Sequence, residues 1–363
     1  MVNNEKKTIS KSSTAIDGKQ SFDKNITFNI PQISEKINPY ALETMNMDEL
    51  LDTVFPPKIP IVANILDVGT YLFVGSPKVG KSFFMAQLGY SVSTGTDLFG
   101  FKVSKGDVLY LALEDNYARL QRRLSTMYGT DSTSNFHLAI SAKTLNSGLR
   151  EQLEDFIHNH PSTKLIVIDT LKKIRDTVQE QFSYNSDYEI IDGLKDFAEK
   201  HKICLLVVHH TRKQAADDIF DTISGSNGLM GAADGAFVMT KKNRISSKAM
   251  LDIVGRDNAD QRFQLEFNRE QWVWELLEVV NEVLEVPKIQ LLEDINTMLT
   301  VETPTFNGSA NELIEKLNSD EYSPSTITRI LNVNVDQLLN DYGISLDYKR
   351  NKDGRKIILT RIN

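Results

Sequence analysis

The sequence predicts an α/β fold: a mostly parallel β-sheet covered by helices, extended on one side by antiparallel strands, and followed by a small module of helices and a hairpin. Three observations predict it. The apolar runs at residues 108–113, 165–168 and 203–208 are continuous rather than alternating, and helix-length segments separate them, the pattern of parallel strands buried on both faces. A further apolar run, Tyr71-Leu72-Phe73-Val74, leads directly through Gly75-Ser76-Pro77-Lys78-Val79-Gly80-Lys81-Ser82 into a helical stretch at residues 83–88. Finally, residues 235–239, 250–254, 263–267 and 272–274 follow one another across short polar turns, as an antiparallel series does.

Taken in order, residues 1–45 are rich in Ser, Lys, Asn and Asp, with only scattered apolar residues such as Ile26, Phe28 and Ile30. They predict either a solvated tail or an arm that docks on a neighbouring subunit. A short amphipathic pattern at residues 47–54 stops at Pro56, Pro57 and Pro60, and the core starts there. Within a domain spanning 46–286, helices are expected at residues 117–128, 148–159 and 187–200, each ahead of the next apolar run. From residue 287 the pattern changes. Helices are expected at 289–299, 310–317, 326–331 and 335–342, the last ending at Gly343. Strands at 344–348 and 356–360 flank Lys349-Arg350-Asn351-Lys352-Asp353-Gly354-Arg355, whose Asp-Gly marks a tight hairpin. Helices followed by a basic hairpin predict a winged-helix-like module over 287–363, which contacts either duplex DNA or another protein.

At 363 residues the chain exceeds one ordinary domain, and with 40% hydrophobic and 25% charged residues it has a core to bury. No apolar stretch is long enough to span a bilayer, and Met1-Val2-Asn3-Asn4-Glu5-Lys6-Lys7 has no apolar segment, so a cytoplasmic location is expected. The single cysteine, Cys204, lies in an apolar run and predicts a small buried side chain. A net charge of −8 excludes a surface coated in positive potential, so any contact with nucleic acid must be local.

The glycine-rich loop carries the firmest chemistry. Its glycines let backbone N–H groups turn toward an anion, and the helix that follows adds the partial positive charge of its N-terminus. Residues Gly75, Ser76, Pro77, Lys78, Val79, Gly80, Lys81, Ser82 and Phe83 are therefore expected to cradle the phosphates of ATP, with Lys81 on the outer phosphates and the Ser82 hydroxyl on Mg2+. Asp169 directly follows an apolar run and so emerges at the carboxyl edge of the sheet, where it either holds magnesium or caps the next helix together with Thr170. Glu114 ends another run at the same edge, placed to polarise a water, while Asp115 points the opposite way and reads as structural. His209 and His210 close a third run. Adjacent strand side chains diverge, so a shared metal is excluded, and one of the two is expected to sense the terminal phosphate. Arg256, in a polar turn past a strand, is placed to complete a neighbour's site.

The order of these pieces resembles the RecA-like hexameric ATPases of the plasmid RepA helicase family. The resemblance rests on the phosphate loop, Leu111-Ala112-Leu113-Glu114-Asp115, Ile166-Val167-Ile168-Asp169-Thr170, Val207-Val208-His209-His210-Thr211-Arg212-Lys213 and Gly255-Arg256-Asp257, and covers about residues 47–285. It implies a ring of subunits with ATP at each interface, Glu114 as base, Asp169 on the metal, His210 as the sensor and Arg256 reaching from the next subunit. It also implies that the loops after Asp169 and His210 face a channel, where Lys172, Lys173, Arg175, Arg212 and Lys213 grip single-stranded DNA. The implied activity is that of a helicase of a mobile element. The competing expectation is an ATP-regulated initiator, loader or partition factor that binds DNA without unwinding it; a small-molecule kinase is disfavoured because no segment suggests an acceptor pocket.

Overall fold

The structure, a computed structural model, describes residues 42–175, 184–212, 218–224, 227–256, 260–280, 289–319, 321–351 and 354–362. Most of the expected N-terminal arm, Lys213, Asp257 and the Lys352-Asp353 turn lie outside the described residues. The chain divides into two compact units, Met1–Met47 and Asp48–Asn363. Of the first, residues 42–47 are described, and all are exposed.

Helix α1 (Met47–Asp52) has no buried residue. The core then alternates: β1 (Gly69–Gly75), α2 (Lys81–Thr94), β2 (Asp107–Ala112), α3 (Tyr117–Tyr128), β3 (Phe136–Ala139), α4 (Leu149–Asn159), β4 (Thr163–Asp169), the single turn α5 (Leu171–Ile174), α6 (Tyr184–His201), β5 (Cys204–His209), α7 (Asn227–Ala232), β6 (Gly235–Thr240), β7 (Lys248–Gly255), β8 (Gln261–Asn268) and β9 (Val273–Val279). These strands form one sheet in the order β3-β2-β4-β5-β1-β6-β7-β8-β9.

Every residue of β1 and β2 is buried because both faces of the sheet are covered. Tyr71 and Phe73 pack with Phe84, Met85, Leu88 and Val92 of α2 on one face. Leu72 and Val74 pack with Leu149 and Leu153 of α4 and Ile191, Leu194 and Phe197 of α6 on the other. Each such side chain contributes about 1.5–3 kcal/mol by leaving water. Two-sided burial is also why the sequence shows continuous apolar runs rather than alternation.

The structure corrects one strand and adds another. The sequence pattern has β6 open the antiparallel series, but β6 runs parallel to β1, with Leu72 opposite Ala236, and antiparallel only to β7. The segment from β5 through α7 is a crossover that restores the strand direction, so only β7, β8 and β9 are antiparallel additions. β3 has no counterpart among the expected strands. Its four residues are half-buried at the sheet edge, too short to give a periodic signal.

Beyond β9 lie α8 (Gln290–Met298), β10 (Thr305–Gly308), α9 (Ala310–Leu317), α10 (Pro324–Val333), α11 (Val335–Tyr342), β11 (Ile344–Asn351) and β12 (Gly354–Arg361). The strands make a second antiparallel sheet, β10-β12-β11. Local chemistry sets the helix starts: Ser309 and Glu312 form a capping box on α9, and Ser323 caps α10 with Pro324 at its first position. Leu291, Ile295, Leu313, Ile327, Leu338, Ile344 and Leu359 meet in an apolar cluster separate from both faces of the large sheet. The chain ahead of the core lies against this module. Lys58 N donates to Asp336 Oδ1 (2.6 Å), Asn340 Nδ2 to Lys58 O (3.1 Å) and Asn332 Nδ2 to Leu51 O (3.1 Å), and Arg329 binds Asp48 and Asp52. Among the described residues no helix is long and apolar enough to cross a membrane.

Candidate active site

Strand order brings the site together. β2, β4, β5 and β1 are neighbours about 4.8 Å apart and all run the same way, so their carboxyl ends form one edge. The glycine-rich loop leaves β1 there. Asp169 ends β4 and His209 ends β5, while Glu114 follows β2 by two residues. The loop bends through Lys78 (φ 68°) and Gly80 (φ 113°), a left-handed backbone that favours glycine. Space makes the same demand at Gly80, where a Cβ would sit 2.5 Å from the Trp274 ring. Trp274, fully buried, donates from Nε1 to Gly80 O at 3.3 Å, and its backbone is held by Gln87 of α2 through two bonds of 2.9 and 2.8 Å. No local pattern marks this tryptophan, from the last strand of the sheet, as a support for the loop.

Lys81 is 7% exposed. Its Nζ donates to Gly75 O (2.6 Å) and Ser76 O (3.2 Å) and lies 3.3 Å from His210 Nδ1. An ammonium only donates, so in that contact His210 Nδ1 is the acceptor and a neutral ring carries its proton on Nε2. Ser82 Oγ donates to Asp169 Oδ2 (2.9 Å), and Tyr110 OH donates to the same oxygen (2.9 Å). Thr170 Oγ1 donates to Glu114 Oε1 at 3.3 Å. Tyr110 and Thr170 join the site without having been singled out for it by the sequence. There, Tyr110 is one aromatic residue in an apolar run, and only the register of β2 beside β4 shows its hydroxyl meeting Asp169.

Burial dominates the electrostatics. It pushes Lys81 down to about 8, opposed by the charges of Asp169 and Glu114. Burial raises Asp169 above the usual carboxylate range against the pull of its Ser82 and Tyr110 hydrogen bonds and the Lys81 charge. His210 is lowered, first by burial and then by Lys81, and stays neutral near pH 7. His209 falls to about 4 by burial, and its Nε2–H donates to Ser224 O (2.8 Å). Of the two histidines, His210 is the one beside the loop lysine.

These residues fit ATP and Mg2+. A buried ammonium held by carbonyl oxygens gains from an anion, a buried carboxylate beside a hydroxyl gains from a hard cation, and magnesium takes such oxygen donors. Lys81 would meet the phosphates, and Ser82 with Asp169 would hold the metal.

Other expected residues are placed as follows. Asp115 pairs with Arg123 (2.8 Å) and Arg119 (3.3 Å), bracing the start of α3. The Phe83 ring packs against Phe267 and Trp272, and its N–H donates to Gly80 O (3.2 Å), so it adds nothing to a phosphate cradle. Lys172, Lys173 and Arg212 are exposed at the carboxyl edge. Arg175 differs: its guanidinium binds the buried Asp187 at 2.6 Å and is 13% exposed, so its charge is held within the fold rather than offered to a strand. Arg256 follows β7, which is antiparallel to β6. Gly255 therefore pairs with Gly235 at the amino end of β6, whereas Gly75 pairs with Met239. Four residues of strand, about 13 Å, separate Arg256 from its own loop along the sheet. It is half-exposed and donates to Gly231 O (3.0 Å).

Residues 38–216 match the family model described as an AAA domain. No curated protein matches the chain in sequence. Among solved structures, a phosphate-loop relative described simply as an ATPase domain is similar at a TM-score of 0.49 and 15% identity, over 58% of this chain and 85% of that one. A DnaB-like replicative helicase, solved for its interactions with primase, is similar at 0.48 and 15%, over 58% and 59%. A KaiC-like protein from Pyrococcus horikoshii OT3 is similar at 0.43 and 14%, over 62% and 99%. The chain carries a P-loop NTPase domain with a RecA-like core.

Proposed function

We propose that this protein is a ring-forming ATPase that translocates on single-stranded DNA and unwinds duplex, acting as the replicative helicase of a mobile element. The observation that carries the ATPase part is the meeting of Lys81, Ser82, Glu114, Asp169 and His210, from four separate segments, at one sheet edge. The motif order supports the motor part.

In this reading Lys81 binds the outer phosphates, and Ser82 and Asp169 hold Mg2+, which when bound offsets charge on the transferring phosphoryl group. Tyr110 keeps its proton, because burial raises it well above the usual phenol range, and so orients Asp169 as a donor. Glu114, steadied by Thr170, orients the attacking water. His210, neutral, offers Nε2–H to the terminal phosphate and begins the segment that continues to Arg212. Because Arg256 lies at the opposite edge from its own loop, it serves the nucleotide of the next copy in the ring, where it adds positive charge to the transition state. Lys172, Lys173, Arg212 and Lys213 contact the DNA backbone within the channel.

We assign residues 46–286 to the ATPase domain and 287–363 to a winged-helix-like module. Lys349, Arg350 and Arg355 lie on its hairpin, where phosphate contacts are made in such modules. The Arg329, Asn332, Asp336 and Asn340 side chains of α10 and α11 are engaged by residues 48–58, so those faces reach a DNA groove only after that segment leaves.

The test is forked-duplex unwinding and ATPase measured with and without single-stranded DNA, with Lys81→Ala as the inactive control. Stimulated turnover with strand separation is expected. DNA-dependent turnover that leaves forks intact identifies an initiator, loader or partition factor. Full turnover by an obligate monomer defeats the ring.

A further inference from the structure

Three side chains at the amino edge of the parallel sheet, away from the phosphate loop, converge without a role in nucleotide chemistry. Asp107 opens β2, His137 is the second residue of the edge strand β3, and His160 follows α4 as its C-cap. Parallel pairing sets Leu109 opposite His137, and Asp107 lies two residues before Leu109, so Asp107 and His137 share the sheet face that α4 covers. His160, at the end of α4, comes down over them. Its ring centroid is 4.1 Å from that of His137, and one donor atom from each of the three residues lies within 4.8 Å of the others.

Details around the three favour an ion. His137 Nε2 is buried, has no hydrogen-bond partner and faces Asp107 Oδ1 at 3.5 Å. That spacing is close to the edge of a tetrahedron with metal–ligand bonds of about 2.1 Å. The other carboxylate oxygen of Asp107 accepts from Ser162 Oγ, and Asp107 N donates to Ser162 O (3.0 Å), so the carboxylate is oriented by an outer group as ligating carboxylates are. Phe156 packs against both imidazoles, with centroids 5.2 and 4.4 Å away, and limits their rotation. Backbone bonds to Phe156 O and from Thr163 N fix the His160 main chain, leaving its side-chain torsions to bring the ring nitrogen in.

We propose that Asp107, His137 and His160 bind one divalent transition-metal ion of the zinc class. Two imidazoles and one carboxylate, without thiolate, suit zinc, cobalt or nickel rather than calcium or magnesium, and they leave a fourth position for water. The ion joins the edge strand β3, the start of β2 and the turn from α4 into β4, so it acts as a pin on the exposed side of the sheet. Asp107 and Glu114 are seven residues apart along β2 and its extension, about 20 Å, which keeps this ion distinct from the magnesium of the nucleotide site. Without metal, the same residues make an Asp107–His137 contact and an aromatic stack, so the competing reading is an ion pair.

The experiment uses the full chain, stripped with chelator, titrated with Co2+ as a visible probe and then with Zn2+ as competitor. One equivalent of Co2+ with the intense visible bands of a four-coordinate site is expected, displaced by Zn2+, together with a rise in Tm on adding Zn2+. His160→Gln is expected to weaken Co2+ binding about a hundredfold or more and to abolish the Tm rise; Ser162→Ala, which keeps all three ligands, weakens it about tenfold. Should His160→Gln fail to fold, Ser162→Ala carries the comparison. His210→Ala leaves Co2+ binding unchanged. Only the pale bands of a six-coordinate ion, affinity no better than millimolar, or affinity indifferent to both His160→Gln and Ser162→Ala overturns the proposal in favour of the ion pair.

Discussion

Ser82 Oγ donates a 2.9 Å hydrogen bond to Asp169 Oδ2 across 87 positions of sequence. One residue begins α2 and the other ends β4, so the bond exists only because β4 is placed two strands from β1. A hydroxyl and a carboxylate held this way present adjacent oxygens to a hard cation, and Tyr110 fixes the carboxylate from the other side.

Tyr110→Phe is therefore expected to raise the Mg2+ concentration needed for half-maximal ATPase about tenfold, with kcat at saturating Mg2+ changed much less. The fold should lose about 1 kcal/mol, read from the urea midpoint. Unchanged Mg2+ dependence would show that the tyrosine does not orient Asp169.

The depressed pKa of Lys81 has a definite sign. Its folded value, about 8, lies below that of the unfolded chain, so the folded protein holds fewer protons between about pH 8 and 10.5. Nucleotide-free stability should gain from this group as pH rises through that window, the burial penalty applying in full below it. Bound phosphate favours the charged ammonium, so ATP binding near pH 8.5 should take up protons. Calorimetry in buffers of differing ionisation enthalpy measures that uptake, and a Lys81 variant that still binds, such as Lys81→Arg, should lose it.

Arg256 and Lys81 offer a complementation test. Lys81→Ala and Arg256→Ala should each be nearly inactive alone, Arg256→Ala by about 10³-fold. Mixed, they should recover activity, because an Arg256→Ala loop can meet the arginine of a Lys81→Ala neighbour. No recovery in stable mixed oligomers would place Arg256 outside the neighbour's site.

The loop residues after β4 divide by burial. Arg175→Ala breaks a contact with a buried carboxylate and should cost about 3 kcal/mol or more of stability. Lys172→Glu with Lys173→Glu should leave the urea midpoint nearly unchanged while weakening single-stranded DNA binding and flattening its salt dependence.

Gly80→Ala should lower nucleotide affinity at least about tenfold, through both its positive φ and the Trp274 ring 2.5 Å away. Trimming the ring with Trp274→Leu should restore only part of the loss, because the backbone strain stays; full rescue would assign the effect to space alone.

The amino-acid sequence by itself determined the parallel core, the phosphate loop, and the strand ends at which Glu114, Asp169 and His210 emerge. Local rules reach that far, since two-sided burial makes strands continuously apolar and a strand's end marks the sheet's edge. Tertiary structure decided the rest: the direction of β6, the edge strand β3, the roles of Tyr110 and Trp274, the inward turn of Arg175, and the separation of Arg256 from its own loop. Each depends on which strands are neighbours and in what register, and residues far apart in the chain, such as Trp274 and Gly80 at 194 positions, leave no local pattern of their meeting.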